Sequence, residues 1–350
     1  MTAFTAHVKK ITRCRAASPF AGCHIAPDYI RKTFIIMKAA AMVFEILLIN
    51  VIPLYGLIAL GFIIGKTTDL DVKPIATLML YALLPVVMFG ATATMEFTSE
   101  YFVPPLIIAS ISIIASTTGY LISRKVWGEA DKRHNLLGML GVSSNATYFG
   151  VPIALALMGK DWLSVYMMMV FSLFVLDCTL GYYFAVRGES SMKDSLIRVT
   201  KLPILYGAIL GAVINLAGIE LSPLALEYWD RFTGTMIILG MMIIGSGLAQ
   251  MDRFRFDRSF FVAVLLLRYI LWPVLGLIWV ALDLYYFQIL PDTIHALVIL
   301  ITACPLAANT VAYAVKINLH PALTSCMVLI TTFLALAFIP FMMWLKTIIF

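Results

Sequence analysis

Apolar stretches long enough to cross a lipid bilayer follow one another along almost the whole chain. A helix needs ~20 apolar residues to span a hydrocarbon core about 30 Å thick. Hydrophobic residues make up 62% of the sequence and charged residues only 13%. Soluble domains carry roughly 25% charged residues, so about half of the usual charge is missing. The composition excludes a soluble globular domain and predicts an all-α polytopic membrane protein.

The apolar stretches predict ten transmembrane helices. They cover residues 43–65, 74–95, 101–125, 134–159, 162–187, 202–219, 231–250, 259–284, 290–316 and 320–346. The connections are too short to hold a soluble domain, and the longest of them, residues 188–201, lies in the middle of the chain. We therefore expect a first five-helix half at 43–187, a cytoplasmic linker, and a second five-helix half at 202–346.

Lysine and arginine residues are distributed unevenly between the two sets of alternate loops. One set holds Lys66, Lys73, Arg124, Lys125, Lys132, Arg133, Arg187, Lys193, Arg198, Lys201, Arg253, Arg255, Arg258 and, at a helix end, Lys316. The other set holds Lys160, Arg231 and, at the C-terminus, Lys346. Because cation-rich loops stay in the cytoplasm, both ends of the ten-helix body are predicted to face outward. These loop cations orient the protein in the bilayer and do not indicate binding to nucleic acid.

The first 36 residues form a basic leader that contradicts this orientation. The leader contains one acid, Asp28, and the cations Lys9, Lys10, Arg13, Arg15, Arg31 and Lys32. It lacks the apolar core of a secretory signal peptide. We expect residues 1–36 to lie outside the fold, with translation beginning at Met37 or Met42. An organelle transit peptide is the alternative.

The two halves begin with similar sequences. The first predicted helix contains "IPLYGLIALG" (52–61), and the sixth opens with "LPILYGAILG" (202–211). The match divides the helices into five plus five. An odd number of spans per half forces the second half to enter the membrane upside down. Inverted repeats of this kind are typical of secondary transporters.

Polar residues and prolines interrupt the fourth and ninth helices. The fourth contains "SSNATYFGVP" (143–152), and the ninth contains "CPLAANTVAYAVKINLHP" (304–321). A proline removes a backbone donor, and broken helix is tolerated within a membrane only where it is buried in protein or lines a cavity. Paired breaks in two inverted halves predict a midplane binding site. The candidate substrate-binding residues are Ser144, Asn145, Thr147, Gly150, Pro152, Pro305, Asn309 and Thr310. The alternative is a pair of kinks whose polar side chains join neighbouring helices.

Two charged residues, Asp177 and Arg268, lie well within predicted helices. A charge at the bilayer centre costs ~2.5–3.5 kcal/mol on insertion scales, so each is a candidate functional residue. Both are predicted at a depth of ~15 Å and are expected to face each other. The pair has two interpretations, an ion pair that fixes the fifth helix against the eighth and a role in coupling. Asp283 and Asp292 flank an outer turn and are expected to be solvated.

No motif in the sequence indicates an enzyme, a cofactor or a metal site. The five cysteines and five histidines are scattered, and no metal-ligand spacing, nucleophile motif or phosphate-binding glycine loop occurs. The chain is therefore expected not to be an enzyme and to use no metal and no cofactor.

Three segments together resemble one known family. They are "YALLPVVMFG" (81–90), "NATYFGVPIALALMGKD" (145–161) and "CPLAANTVAYAVKINLHPALTS" (304–325). In these segments the chain resembles the auxin efflux carrier family, which includes plant auxin exporters and bacterial permeases for malonate and related acids. The resemblance extends over residues 43–346. One departure is that plant members carry a second proline in the ninth helix, where this chain has Asn309-Thr310.

The resemblance implies an inverted five-helix repeat of the sodium/proton-antiporter type, with the fourth and ninth helices broken and crossing at the membrane centre. It implies that helices 1, 2, 6 and 7 form a scaffold. Helices 3–5 and 8–10 would form a transport domain that moves like an elevator. It also implies the inner membrane of a bacterium, and we further expect a homodimer through the scaffold helices.

The expected function is secondary transport of a small organic anion, a mono- or dicarboxylate. The positive ends of half-helices would meet the carboxylate, and Asn145 and Asn309 would donate hydrogen bonds to it. Two other functions remain open: a cation/proton antiporter on the same fold, and a membrane protein that transports nothing. The residues do not decide between H⁺ and Na⁺ as the coupling ion, nor do they identify the acid.

Overall fold

The computed structural model describes residues 44–45, 48–49, 52–68, 70–95, 102–129, 131–187, 191–249 and 257–349. The predicted leader, residues 1–36, lies outside the described residues. Residues 40–350 form one compact unit. Within the described ranges the secondary structure is helical and contains no strand.

The described helices are named here after the predicted segments that they occupy. They are α1 (Ile52–Thr67), α2 (Val72–Ala93), α3 (Val103–Trp127), α4a (Arg133–Val142), α4b (Val151–Met158), α5 (Leu163–Arg187), α6 (Pro203–Leu216), α7 (Pro223–Ala249), α8 (Arg258–Phe287), α9a (Asp292–Ala303), α9b (Asn309–Ile317) and α10 (Pro321–Ile349). A linker helix, Met192–Thr200, precedes α6.

Six of the described helices are long and apolar enough to cross a membrane: α2, α3, α5, α7, α8 and α10. The linker helix and α6 pass the same test together and are bent by 45°, which would make a seventh span. Shorter apolar helices are α1 and α9a. The predicted class, a multi-pass helical membrane protein, is confirmed.

Several long helices contain a π-helical turn, and the three buried Asp and Arg side chains of the described residues, Asp177, Arg268 and Asp283, lie in such turns. Asp177 begins the π turn Asp177–Gly181 of α5, and Arg268 lies in the π turn Leu267–Leu271 of α8. A π turn inserts one extra residue and changes the direction in which neighbouring side chains project. Such turns are frequent at functional sites.

Helices α1, α2, α6 and α7 pack closely on one another. The Ser246 hydroxyl of α7 donates to the Gly61 carbonyl of α1 at 2.9 Å. A Cβ on Gly245 would meet the Ile58 carbonyl oxygen at 1.9 Å, so only glycine permits this approach of α7 to α1. The Trp229 indole of α7 donates to the Val87 carbonyl of α2 at 3.0 Å.

A second group of contacts joins α3, α4a and α8. The hydroxyls of Ser112 and Ser116 donate to the carbonyls of Val142 and Gly138, at 3.0 and 2.6 Å. The Trp272 indole of α8 donates to another α4a carbonyl at 3.0 Å. These bonds tie α4a, whose far end forms the break described below, to two long helices.

The turn between α8 and α9a differs from the expectation. Asp283 is buried, accepts the backbone N–H groups of Ile289 and Leu290 at 3.2 Å each, and contacts His295 Nε2 at 2.8 Å. Asp292 is exposed, as predicted. The expectation for Asp283 was wrong because its carboxyl group folds back under the turn, where it accepts the free N–H groups that follow the helix and contacts the buried His295.

Candidate functional site

The fourth helix is broken at residues 143–145, upstream of Pro152. α4a ends at Val142, and Ser143 has an extended backbone with ψ 137°. Pro152 lies in the first turn of α4b, directly after the π turn Ala146–Gly150. The helical backbone continues from this π turn through Pro152 into α4b, so the proline does not end the helix. The predicted break is present, but the polar residues, and not Pro152, form it.

The ninth helix is broken around Pro305. α9a ends at Ala303, and Cys304 has an extended backbone with ψ 151°. α9b starts at Asn309. Pro305 therefore lies within the break itself, and Asn309-Thr310 opens the second half-helix. This position accounts for a break at α9 without a second proline.

The two breaks contact each other directly. The Asn145 N–H donates to the Pro305 carbonyl at 2.8 Å. The Ala307 N–H donates to the Ser143 hydroxyl at 3.3 Å, and the Ser144 hydroxyl donates to the Ile301 carbonyl at 3.3 Å. Backbone groups released by one break are thus satisfied by the other, as buried polar groups require.

Arg268 lies against the C-terminal ends of α4a and α9a. Its guanidinium donates to the carbonyls of Ser143, Ile301 and Cys304 at 3.2, 3.3 and 2.5 Å, and to the Ser144 hydroxyl at 2.6 Å. It also lies over the Trp272 ring, 4.3 Å from the ring centre. Helix C-termini carry partial negative charge, so a buried cation is stabilised where two of them meet.

Asp177 lies at the N-terminal end of α9b. It is buried, and its Oδ2 accepts a hydrogen bond from Asn309 Nδ2. Its Oδ1 is buried without a hydrogen-bond partner among the described residues. A helix N-terminus carries partial positive charge, which favours an acidic group there.

The predicted ion pair between Asp177 and Arg268 is not formed. No ion pair joins these two described side chains, and the guanidinium is directed to the carbonyl oxygens instead. The physical reason is the crossing itself. Its half-helix C-termini attract the cation and its half-helix N-terminus attracts the anion, so the two charges are drawn to different positions.

A cavity with an empty volume of about 630 Å³, open mouth included, lies beside the breaks. Four predicted site residues line it: Ser144, Asn145, Thr147 and Asn309. Asp177 lines the same cavity. The cavity therefore presents two side-chain amides, two hydroxyls and one carboxyl group from the neighbourhood of the two breaks.

The other four predicted site residues hold the crossing and do not line this cavity. The Thr310 hydroxyl donates to the Ala307 carbonyl at 2.6 Å and closes the second break. A Cβ on Gly150 would meet the Tyr166 hydroxyl at 1.7 Å, and that hydroxyl donates to the Ala146 carbonyl at 2.8 Å. Pro152 and Pro305 have the backbone positions described above.

The opposite wall of the cavity is apolar and has no signal in the sequence. It is formed by Met79 of α2 and, from α7, Met236, Ile237, Gly240 and Met241. These residues look like any others in an apolar helix. Only the packing of α2 and α7 against the crossing identifies them.

A second cavity continues the first. The two share Thr147, Val170, Phe174 and Met236 in their linings. The second extends along the end of α2 and the beginnings of α5 and α7, where it is lined by Val87, Ala91, Thr94, Met95, Leu163, Ser164, Trp229 and Thr233, among others. The site is therefore connected to one end of the helices.

The described residues hold no cluster of three or more side chains suited to a metal ion. Comparison of the chain with curated proteins gives no match. A family model described as membrane transport protein matches residues 189–343. These residues carry the auxin efflux carrier family domain.

The auxin efflux carrier domain begins before the linker helix and ends within α10. It includes Arg268 and the whole ninth-helix break, with Asn309. The fourth-helix break and Asp177 precede it and meet it through the hydrogen bonds described above. The predicted family domain is confirmed at residues 189–343, and the members of this family are membrane transporters, not enzymes.

Proposed function

We propose that this protein is a secondary transporter that moves a small organic anion, a mono- or dicarboxylate, by alternating access at the site between the two breaks. One observation carries the proposal: Asn145 and Asn309, from opposite halves of the chain, line one cavity where the breaks contact each other. An uncharged amide donates hydrogen bonds to a carboxylate without binding it as tightly as a fixed cation would.

The arrangement supports a ten-helix inverted repeat. The breaks occupy the fourth and ninth helices, which are the equivalent helices of two five-helix halves. Proline lies in the first turn of both α1 and α6, at Pro53 and Pro203, as the repeated opening sequence requires. In this proposal the crossing lies at the membrane centre, and both ends of the ten-helix body face outward.

The division into a scaffold and a moving domain is supported by the two walls of the cavity. Its polar groups come from α4, α5 and α9, whereas α2 and α7 contribute apolar side chains and a glycine. Because apolar side chains form few directional bonds, an apolar wall allows a neighbouring domain to slide along it. We propose that α3–α5 and α8–α10 slide along this wall as an elevator, with α1, α2, α6 and α7 as the scaffold.

The described conformation is outward-open under the predicted orientation. The second cavity extends toward the end of α2, which the loop charges place outside. At the other end of the site, α9b packs on α2, and Lys316 Nζ donates to the Thr77 hydroxyl at 2.9 Å. We propose that this contact separates when the site opens inward.

Binding of carboxylates to the purified protein tests the proposal. Acetate, phenylacetate and succinate serve as short, aromatic and dicarboxylic probes. A hydrogen bond to a charged group contributes ~1.5–3 kcal/mol. Asn145→Ala and Asn309→Ala should therefore each weaken binding by roughly 10- to 150-fold.

Asn215→Ala is the matched control. Asn215 is also a helix amide, but it donates to the carbonyls of Thr92, Ala93 and Met95 and does not line the cavity between the breaks. The folded fraction of this variant should bind the probes with wild-type affinity. Unchanged affinity in both cavity variants would contradict a binding site between the breaks.

A second candidate function, a cation/proton antiporter, is favoured by one observation, the buried carboxyl group of Asp177 in the lining of the cavity. An antiporter would exchange protons for a metal cation in proteoliposomes that contain no organic acid. An anion transporter would move no protons under that condition.

A further inference from the structure

Asp177 presents a difficulty for any anion bound at the proposed site. Its carboxyl group and the amides of Asn145 and Asn309 line the same cavity. An ionised Asp177 would repel an anion that those amides hold, because like charges at a few ångströms interact strongly in a protein interior. The buried carboxyl group must therefore be uncharged if the anion is to bind well.

No described cation neutralises this carboxyl group. The nearest fixed charge of the crossing, Arg268, directs its donors to carbonyls and to Ser144. The titratable groups that face Asp177 are Cys178 of its own helix and Tyr313 of α9b, whose hydroxyl donates to the Cys178 sulfur at 3.3 Å. Both are ordinarily uncharged at neutral pH.

The remaining polar neighbours of Asp177 leave room for a proton. Asn309 occupies Oδ2 as a donor. Ser143 adjoins the carboxyl group, but Oδ1 has no hydrogen bond from the described residues. A proton on Oδ1 would remove the negative charge of the carboxyl group, so Asp177 would no longer repel a substrate carboxylate held by the asparagines.

We propose that Asp177 carries the coupling proton: one H⁺ binds to its carboxyl group with each organic anion, and both are released on the other side of the membrane. This inference rests on the proposed function and names its coupling ion. The step moves one proton and breaks no other covalent bond. A monoanion transported this way carries no net charge, so the membrane potential does not oppose its entry.

The first test needs no organic acid. Thermal unfolding of the full-length wild type, Asp177→Asn and Asp161→Asn is measured in detergent from about pH 5 to about pH 8, because stability depends on pH wherever protons are released. Ionisation of a buried, unpaired carboxyl group destabilises the folded state. The wild type should therefore lose stability relative to Asp177→Asn as the pH rises. Asp161 is exposed in an outer turn, and its variant should follow the wild type. Parallel curves for wild type and Asp177→Asn would overturn the proposal.

The second test measures affinity for acetate and phenylacetate, which remain ionised above about pH 6. Wild-type affinity should fall roughly tenfold per pH unit once Asp177 ionises, because one proton is taken up with each anion. Asp177→Asn should lose this dependence and bind tighter than the wild type at about pH 8. A variant that keeps the wild-type pH dependence, or a wild type that requires Na⁺, would overturn the proposal.

The two tests separate the two claims. A wild type that shows the pH-dependent stability but binds none of the probes at any pH would refute the proposed anion site and leave the proton site standing. Anion binding without any effect of Asp177 would refute the proton site alone. A pH-sensitive dye inside proteoliposomes supplies the final measurement, and a succinate gradient at neutral pH should drive proton entry in the wild type and not in Asp177→Asn or in protein-free liposomes.

Discussion

Two buried charges contact the same pair of broken helices, and their surroundings differ. Arg268 is surrounded by three carbonyls, one hydroxyl and an aromatic ring, all at bonding distance. The Asp177 carboxyl group lines a cavity, accepts a hydrogen bond from Asn309 and adjoins Ser143, and its Oδ1 is buried without a hydrogen bond from the described residues. Arg268 cannot change partners without opening the breaks, whereas Asp177 can accept a proton or a ligand. A charge within a membrane helix can therefore be structural or functional, and its partners distinguish the two.

The largest expected effect is at Arg268. Replacement by leucine removes the donor of two buried carbonyls, those of Ser143 and Cys304, and each unsatisfied buried group costs ~1–3 kcal/mol. Arg268→Leu should lower the free energy of unfolding by at least about 2 kcal/mol. Arg268→Lys keeps the charge but lacks the planar fork of donors, so its loss should be smaller. Unfolding in detergent measures both.

A double variant tests the separation of the two charges. Asp177→Asn and Arg268→Lys should each change the free energy of unfolding. In the double variant the change should equal the sum of the two single changes to within about 0.5 kcal/mol. A larger coupling would show that the two charges interact after all and would restore the ion pair predicted from the sequence.

A smaller effect on stability is expected at Gly150, which packs against Tyr166 of α5. Gly150→Ala forces a Cβ against the Tyr166 hydroxyl, and overpacking of a well-packed core costs ~1–3 kcal/mol. Gly56→Ala is the matched control, because no atom lies within 4 Å of the position of its Cβ. Alanine is the better helix former, so this control should raise stability by roughly 0.5–1 kcal/mol. Equal effects at both glycines would show that the crossing is loosely packed.

The smallest effect is expected for a charge cluster outside the apolar core. Arg133 pairs with Asp131 and Asp257, and its side-chain hydrogen bond holds the pKa of Asp131 below the ordinary value of 3.8. A lowered folded pKa adds stability above the ordinary pKa, and this stability is lost as the pH falls through the folded pKa.

Asp131→Asn should therefore cost under about 1 kcal/mol at neutral pH, and the difference from the wild type should vanish in acid. Unfolding midpoints measured at successive pH values below 3.8 should converge as Asp131 of the wild type becomes protonated in the folded as well as the unfolded state. If the stability difference between Asp131→Asn and the wild type were the same at every pH, Asp131 would have no electrostatic role in this cluster.

The sequence predicted which segments are helical and that two of them are broken. It predicted less well which residues lie at each break. The polar groups of Ser144, Asn145, Thr147 and Asn309 indicated the cavity because polar side chains are rare in an apolar helix. Pro152 was predicted to break α4, but it lies after a π turn that accommodates it. Proline gives a local signal, and the position of a break also depends on which neighbour can satisfy the released backbone groups.

The sequence alone determined the membrane class, the spacing of the helices and the pairing of two interrupted segments, because length and hydropathy of a segment are local properties. Tertiary structure alone decided the partners of Asp177 and Arg268, the apolar wall from α2 and α7, and the burial of Asp283. The physical reason is that these depend on the ends of half-helices meeting across the fold. Their partial charges and free backbone groups select a partner only once the crossing has formed.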